Sequence, residues 1–361
     1  MADIPATADA FLPALAPALL EWYHRRRRGF PWREEATPYR IWVSEIMLQQ
    51  TRIEAALPYF DRFMAALPTV SALAGAEEER LMKLWEGLGY YSRARNLQKA
   101  AKQIMDEYGG ELPASYEQLL ALPGIGEYTA GAIASMAFSL PVPAVDGNVL
   151  RVTARLLDDD GDITRAPVKK RLREAVCTVL PADRPGDFNQ AIMELGETVC
   201  LPNTRPLCGE CPLAEECRGR RTGHPERLPV RAEKKARRVE RRTVLIVIAE
   251  GRVLLHRRGE TGLLAGLWEL PSAEGWLSPD EAAAVAAGWG ARPSAVETAN
   301  EGKHIFSHIE WHMQGLLLRV PAFEPPAGFT WADARRLREE TALPSAFRPY
   351  SSRLEEWMKE I

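Results

Sequence analysis

Apolar residues recur at helical spacing through most of the first two-thirds of the chain. The periodicity predicts helices over 41–65, 77–86, 94–107, 115–121, 127–138 and 167–180. Pro31, Gly87-Leu88-Gly89 and Pro181 punctuate them. Residues 1–217 therefore read as mostly helical. The pattern then changes. Thr243 to Ala249 is a buried-strand run, and Arg252 to Arg257 repeats it after Glu250-Gly251, which predicts a hairpin. Pro279 to Ala287 predicts a helix opening on acidic residues. His304 to Val320 predicts two further strands or one long one, and Trp331 to Glu340 a last helix. The expected fold class is multidomain, an all-α domain followed by an α+β domain.

Between the two patterns, residues 218–242 carry eleven basic residues against three acidic ones and few large apolar side chains. This reads as a basic interdomain linker. The domain limits expected are 1–217, 218–242 and 243–361. A length of 361 residues with 46% hydrophobic content supplies two ordinary cores. No apolar run reaches membrane-spanning length. Met1 to Leu20 carries Asp3 and Asp9 but no basic residue, so it lacks the basic start of a secretory leader. A soluble cytoplasmic protein without a membrane partner is expected, working on the nucleoid if the source is bacterial.

The net charge of −3 argues against a nucleic-acid partner only if charge is spread evenly. It is not. Arg25-Arg26-Arg27-Arg28 forms one basic cluster and the 218–242 stretch another. Each is either a solvated face or a contact for an acidic polymer.

Candidate chemistry sits in four places. Leu122-Pro123-Gly124-Ile125-Gly126-Glu127-Tyr128 breaks one helix and starts another. Gly124 and Gly126 allow close backbone approach, and the free N–H groups at the second helix start favour a phosphate oxygen. Asp146-Gly147-Asn148 places a carboxylate in a turn. The run Ile41 to Thr51 holds one carboxylate, Glu45, among Trp42, Ile46, Met47 and Leu48. An acid so surrounded has a raised pKa and suits proton donation. Gly87 to Arg95 sets Tyr90 and Tyr91 beside Arg93 and Arg95, a combination suited to stacking on bases and gripping phosphates.

Cys200, Cys208, Cys211 and Cys217 follow the spacing C-x7-C-x2-C-x5-C. Such crowding in a cytosolic chain favours a metal group over disulfides. Only one Cys-x2-Cys pair is present, which favours a [4Fe–4S] cluster over structural zinc without excluding the latter. Cys177, in an apolar stretch, reads as a buried core thiol.

Pro31-Trp32-Arg33, the Glu45 helix, Gly89-Tyr90-Tyr91-Ser92, the Gly124-Ile125-Gly126 hairpin, Val145-Asp146-Gly147-Asn148 and the four cysteines occur in this order. In that order they resemble the adenine DNA glycosylases of the MutY type, within the helix-hairpin-helix glycosylase superfamily. The resemblance covers nearly the whole chain. It implies an all-α helix-hairpin-helix domain, with the hairpin at 118–136 and a [4Fe–4S] loop at 200–217. One residue more than the usual family spacing separates Cys200 from Cys208. Gly262 to Pro271 is similar to the segment before the metal-binding box of Nudix hydrolases, but Ser272 to Leu277 cannot supply that box. A Nudix-like domain without pyrophosphohydrolase activity is expected, used by the family to recognise 8-oxoguanine.

The implied activity is removal of adenine mispaired with 8-oxoguanine, or guanine, from duplex DNA by hydrolysis of the N-glycosidic bond. The enzyme is expected to act as a monomer. Glu45 and Asp146 would be catalytic, with Tyr128 and Asn148 supporting them. Trp32, Arg33 and Gln190 would line the adenine pocket. Gln50, Thr51, Leu88, Tyr90, Ser307 and His308 would contact or stand in for the oxidised guanine. The endonuclease-III group carries a lysine where this chain has Tyr128. A phenol cannot form a Schiff base, so strand cleavage is not expected. The alternatives are a bifunctional pyrimidine glycosylase/lyase, a lesion-binding protein without activity and, third, a nucleotide hydrolase.

Overall fold

The structure is a computed structural model and describes residues 12–233 and 236–359. Asp3 and Asp9 of the expected leaderless N-terminus lie outside them. The chain divides into two compact units, residues 1–75 with 96–233, and residues 76–95 with 234–361.

The first unit is helical. It contains α1 (Leu12–Arg26), α2 (Pro31–Glu34), α3 (Pro38–Leu48), α4 (Ile53–Ala66) and α5 (Val70–Ala74). After α6 (Glu78–Trp85), which belongs to the second unit, come α7 (Ser92–Tyr108), α8 (Tyr116–Leu120), α9 (Glu127–Phe138), α10 (Gly147–Leu157), α11 (Ala166–Val179), α12 (Pro185–Thr198) and α13 (Arg218–Arg221). The single helix expected over 41–65 is two. α3 stops at Leu48 because Gln50 takes a left-handed φ of 59°, and Arg52 restarts the chain as α4. That break presents Gln50 and Thr51 at the end of the Glu45 helix.

α11 buries Val168, Leu172, Ala175, Val176 and Val179, a stripe at helical spacing. Cys177 falls on the opposite side and is exposed. The buried thiol expected from its apolar neighbours is therefore corrected: the neighbours are apolar because they face the core, and Cys177 does not.

Glycines let α9, α10 and α12 pack unusually closely. A Cβ on Gly186 would come 2.8 Å from the Ser135 carbonyl, and one on Gly196 would come 2.7 Å from Asn148 Cβ. Within the stretch expected to be a linker, α13 packs its Gly219 against the Arg155 carbonyl, and residues from Arg238 onward already form a strand.

The second unit is built on a seven-stranded sheet comprising β1 (Arg238–Ala249), β2 (Arg252–Arg257), β3 (Trp268–Glu269), β4 (Ser272–Glu274), β5 (Ala295–Ile305), β6 (Ile309–Arg319) and β7 (Phe329–Ala332). The strand order is β3-β2-β1-β6-β5, with β4 paired to β1 and β7 to β2. β1 and β6 run parallel and the other pairs antiparallel. β1 and β2 meet through Glu250-Gly251, both at positive φ, the geometry of a two-residue hairpin turn.

Both faces of β1 are covered, which explains its unbroken apolar run. Val244, Ile246 and Ile248 face Tyr350 of α16 (Arg348–Ser351) and Trp357 of α17 (Leu354–Lys359). Leu245 and Val247 face Ala282 and Ala286 of α14 (Pro279–Ala287). Trp331 belongs to β7 and not to the helix expected over 331–340. That helix, α15 (Ala334–Glu339), begins where the Asp333 side chain accepts from Arg336 N at 2.8 Å.

Helix α6 joins this unit through Lys83. Its ammonium donates to the carbonyls of Leu337 at 2.7 Å and Thr341 at 3.1 Å, while Glu86 accepts from Leu343 N at 2.7 Å. Among the described residues no helix is long and apolar enough to cross a membrane.

Candidate active site

Glu45 lies on α3, which is buried almost all round. Thr37 caps the helix, its hydroxyl accepting from Arg40 N, and Pro38 pre-sets its first turn. The Glu45 carboxyl is 6% exposed, and its Oε2 has no hydrogen-bond partner among the described residues. Burial pushes the carboxyl up to about 7. Tyr128 and Arg33 pull it down, while Asp146 and Glu197 add to the rise. A buried acid near 7 is half-protonated at neutral pH, the state needed for a proton donor.

Asp146 caps α10. Its Oδ1 accepts from Val149 N at 2.8 Å and its Oδ2 from Asn148 Nδ2 at 2.9 Å. Burial raises this carboxyl, and those two donors with the Arg151 guanidinium oppose the rise. All of the opposing groups favour the ionised form. Asn148 is itself held, since its Oδ1 accepts from Arg151 Nη2 at 2.9 Å. Burial and the neighbouring Glu45 and Asp146 carboxyls hold the Tyr128 phenol well above its ordinary value. It stays neutral, donating to Met193 Sδ at 3.3 Å.

These groups open on one cleft of about 590 Å³. Trp32, Arg33, Gln50, Thr51 and Gln190 line it with Glu45, Tyr128, Asp146 and Asn148. Trp32 is fixed between Phe30, stacked at 5.2 Å, and the edge of Phe60 at 5.0 Å. The sequence reading missed Arg28, Glu194 and Glu197 among other residues of the same cleft. Arg28 was one of four arginines in a row, and only it turns inward; the other three are exposed. Gln49, beside Gln50, donates to Thr129 Oγ1 at 3.3 Å and ties α3 to α9.

In the hairpin, Gly124 has a φ of +78° and a Cβ there would meet Asn96 Cβ at 2.7 Å. Gly126 caps α9, and a Cβ there would meet nothing within 4 Å. The hairpin thus needs glycine at 124 for its own shape and leaves open space at 126, where a phosphate could approach.

The remaining expected residues lie in the second unit. Trp85 Nε1 and Arg93 Nη2 both donate to the Gly89 carbonyl, closing a loop in which Tyr90 takes a φ of 48° and stays 47% exposed. Leu88 in this loop is buried. Ser307 and His308 sit exposed in the three-residue turn between β5 and β6. Phe306 anchors that turn edge-on against Trp311 at 4.8 Å. Tyr90 Oη and Ser307 Oγ are 3.1 Å apart, so residues 217 positions apart in sequence share a hydrogen bond. Glu269, in the Nudix-like segment, is buried and taken up by Arg258 Nη1 at 2.8 Å, so it is not free to hold a metal.

Cys200, Cys208, Cys211 and Cys217 line one small cavity with Arg155 and Arg220. Arg155 Nη1 reaches Cys200 Sγ at 3.2 Å. Burial pushes the Cys208, Cys211 and Cys217 thiols up, Cys211 to about 12. Thiols so placed ionise when a metal group takes up their charge. Among the described residues no three His, Cys, Asp or Glu side chains close on a single ion. Four thiols lining one cavity are a donor set that fits a cluster or a metal ion.

Residues 43–177 match the HhH-GPD superfamily of base excision DNA repair proteins, and residues 243–353 match the NUDIX domain. The chain is 37% identical to an adenine DNA glycosylase of Mus musculus over 94% of this chain and 78% of that protein. For an adenine DNA glycosylase of Homo sapiens the values are 34%, 94% and 74%, and for one of Buchnera aphidicola 32%, 84% and 86%. A thermostable thymine-DNA glycosylase structure superposes with a TM-score of 0.53 at 26% identity, covering 58% of this chain and 97% of that one. A trapped endonuclease III–DNA intermediate shares the fold, with a TM-score of 0.50 at 24% identity over 58% of this chain and 95% of its own.

Proposed function

The chain belongs to the adenine DNA glycosylases, base-excision repair enzymes that release adenine from DNA, and on that footing we propose that its substrate is adenine opposite 8-oxoguanine in duplex DNA. The observation that carries the chemistry is the pairing, in one cleft, of a buried Glu45 pushed up to about 7 with an Asp146 whose Val149 and Asn148 donors and Arg151 favour its ionised form against the raising effect of burial. The target adenine must leave the base stack, at a cost of a few kcal/mol that a mispair lowers.

In the cleft, Trp32, Arg33 and Gln190 bind the base. Glu45 gives its proton to adenine N7. The C1′–N9 bond then breaks, its electron pair leaving with the base. The sugar left behind is an oxocarbenium-like cation, which Asp146 stabilises. Water attacks C1′ and Glu45 takes up the proton it sheds, which restores the starting state. Asn148 keeps Asp146 in place, and Tyr128 supports the sugar intermediate.

Tyr128 supplies no amine, so no Schiff base forms and the strand is left intact. Gly124 and Gly126 hold a backbone phosphate. Gln50, Thr51, Leu88 and Tyr90 contact or replace the oxidised guanine, and Ser307 and His308 bond its edge. Cys200, Cys208, Cys211 and Cys217 hold a [4Fe–4S] cluster that braces the 200–217 loop. The protein acts as a monomer on cytoplasmic DNA.

The test is adenine release from duplexes with 8-oxoguanine, guanine or thymine opposite. Release should be fastest opposite 8-oxoguanine and should yield no borohydride-trapped adduct. Equal release opposite all three, or trapping as strong as that of a lysine-bearing lyase, would overturn the reading.

A further inference from the structure

Arg28, Glu194 and Glu197 are charged groups in the cleft wall that have no part in the chemistry above. Arg28 is part-buried between α1 and α2. Its Nε donates to Glu194, a buried carboxylate on α12, and its Nη2 donates to Glu197 one turn further along the same helix at 2.5 Å. Glu194 Oε2 in turn accepts from Arg33 Nη2 at 2.9 Å, and Arg33 Nη1 donates back to the Arg28 carbonyl at 3.0 Å. Arg28, Glu194 and Arg33 thus close a ring, and Glu197 holds Arg28 from outside it. Both cations also lie over the Phe30 ring, Arg28 at 5.1 Å and Arg33 at 4.8 Å. Phe30 is the ring on which Trp32 stacks.

Glu194 already neutralises Arg33. Glu197 has a different task, because it holds the second arm of Arg28. Two short hydrogen bonds to one helix face set the orientation of this guanidinium; with Glu194 alone, it can turn towards Glu54, whose Oε1 already lies 3.8 Å from Nη1.

We propose that Glu197 is a positioning residue for base removal: it pins Arg28 to α12, and Arg28 then fixes the 28–33 segment, with Trp32 and Arg33, as one wall of the cleft. This rests on the reading of the cleft as the adenine site. Glu197 also acts on Glu45 through its charge. Glu45 is faced by Tyr128 from α9, Asp146 from the start of α10, Arg33 from α2 and Glu197 from α12. Glu197 and Asp146 oppose its ionisation, and Arg33 and Tyr128 favour it.

The experiment measures single-turnover adenine release, its pH dependence and duplex affinity. It uses the full-length protein, Glu197→Ala, Glu197→Gln, Arg28→Ala and the double variant Arg28→Ala/Glu197→Ala. Glu197→Ala should lower the rate about tenfold with duplex affinity within about twofold of wild type. Glu197→Gln, which keeps an acceptor for Arg28, should recover most of the rate. Both should move the falling limb of the pH profile to lower pH, because a negative neighbour of Glu45 is gone. The double variant should be no slower than Arg28→Ala alone. Independent, multiplying losses in the double variant would overturn the proposal, as would an unmoved pH profile in both Glu197 variants. A wild-type protein that releases no adenine would instead overturn the reading of the cleft.

Discussion

Gly131 of α9 and Pro143 meet backbone to backbone: a Cβ on Gly131 would lie 2.3 Å from the Pro143 carbonyl oxygen. The missing side chain lets the segment before Asp146 run flush along α9. Asn189 of α12, fully buried, secures the same segment. Its Oδ1 accepts from Ala144 N at 3.0 Å, and its Nδ2 donates to the Val142 carbonyl at 2.9 Å and to Ser135 Oγ at 2.8 Å. The Asp146 carboxylate is therefore placed by a contact that only glycine permits.

Gly131→Ala should consequently displace Asp146. Overpacking of this kind costs about 1–3 kcal/mol, so the melting temperature should fall by several degrees and adenine release by more than about tenfold. Gly126→Ala is the contrast, since a Cβ there meets no protein atom. It should leave the melting temperature unchanged and weaken duplex binding. Equal effects of the two substitutions on stability would refute this account.

The raised Glu45 carboxyl makes two pH-dependent predictions. Adenine release should decline as pH rises through about 7, where the acid loses its proton, and Glu45→Gln should slow it by about 10²–10⁴. Stability follows the same titration. The folded carboxyl sits at about 7 against an ordinary 4.5, so the folded protein holds this proton better than the unfolded chain does. That contribution is complete below 4.5 and is lost as pH rises through about 7. Glu45→Gln, uncharged at every pH, should therefore melt higher than wild type above pH 7, by up to on the order of 3 kcal/mol, with the gap closing towards pH 5. A gap independent of pH would contradict the assignment.

The Tyr90–Ser307 hydrogen bond joins the loop that follows α6 to the β5–β6 turn. Ser307→Ala combined with His308→Ala should narrow the ratio of adenine release opposite 8-oxoguanine and guanine. Tyr90→Phe, which deletes only the shared hydroxyl, should narrow it in the same direction by a smaller factor. An unchanged ratio in the double variant removes the turn from recognition.

The cysteine cavity predicts a brown protein with about four irons per chain. Replacing Cys208 or Cys211 by Ser should lower the iron content and weaken duplex binding while leaving the second unit folded. Zinc at one atom per chain would reject the cluster.

Much of the site was legible in the chain because its signals are local. An acid inside an apolar helical run, glycines two apart at a helix break, a capping aspartate and clustered thiols each lie within about twenty residues. The strand and helix periods were legible for the same reason, apart from their ends. The 41–65 helix divides at Gln50, and Trp331 joins a strand, because a left-handed residue and a cap outweigh apolar spacing at element boundaries.

What the sequence by itself determined is which chemical groups this protein has and in what local frame each is held. The tertiary structure alone decided which of them act together. Cys177 is exposed because its helix buries its other side, and the 76–95 segment joins the second unit through Lys83 and Glu86, which bond α15 and the residues after it. Arg28, one arginine among four, turns inward because Glu194 and Glu197 await it on a helix more than 150 residues later. Even the proton on Glu45 is a tertiary property. The apolar run around residue 45 foretells a raised carboxyl, but the exclusion of water that raises it, and the Asp146 and Glu197 charges that add to the rise, come from other helices.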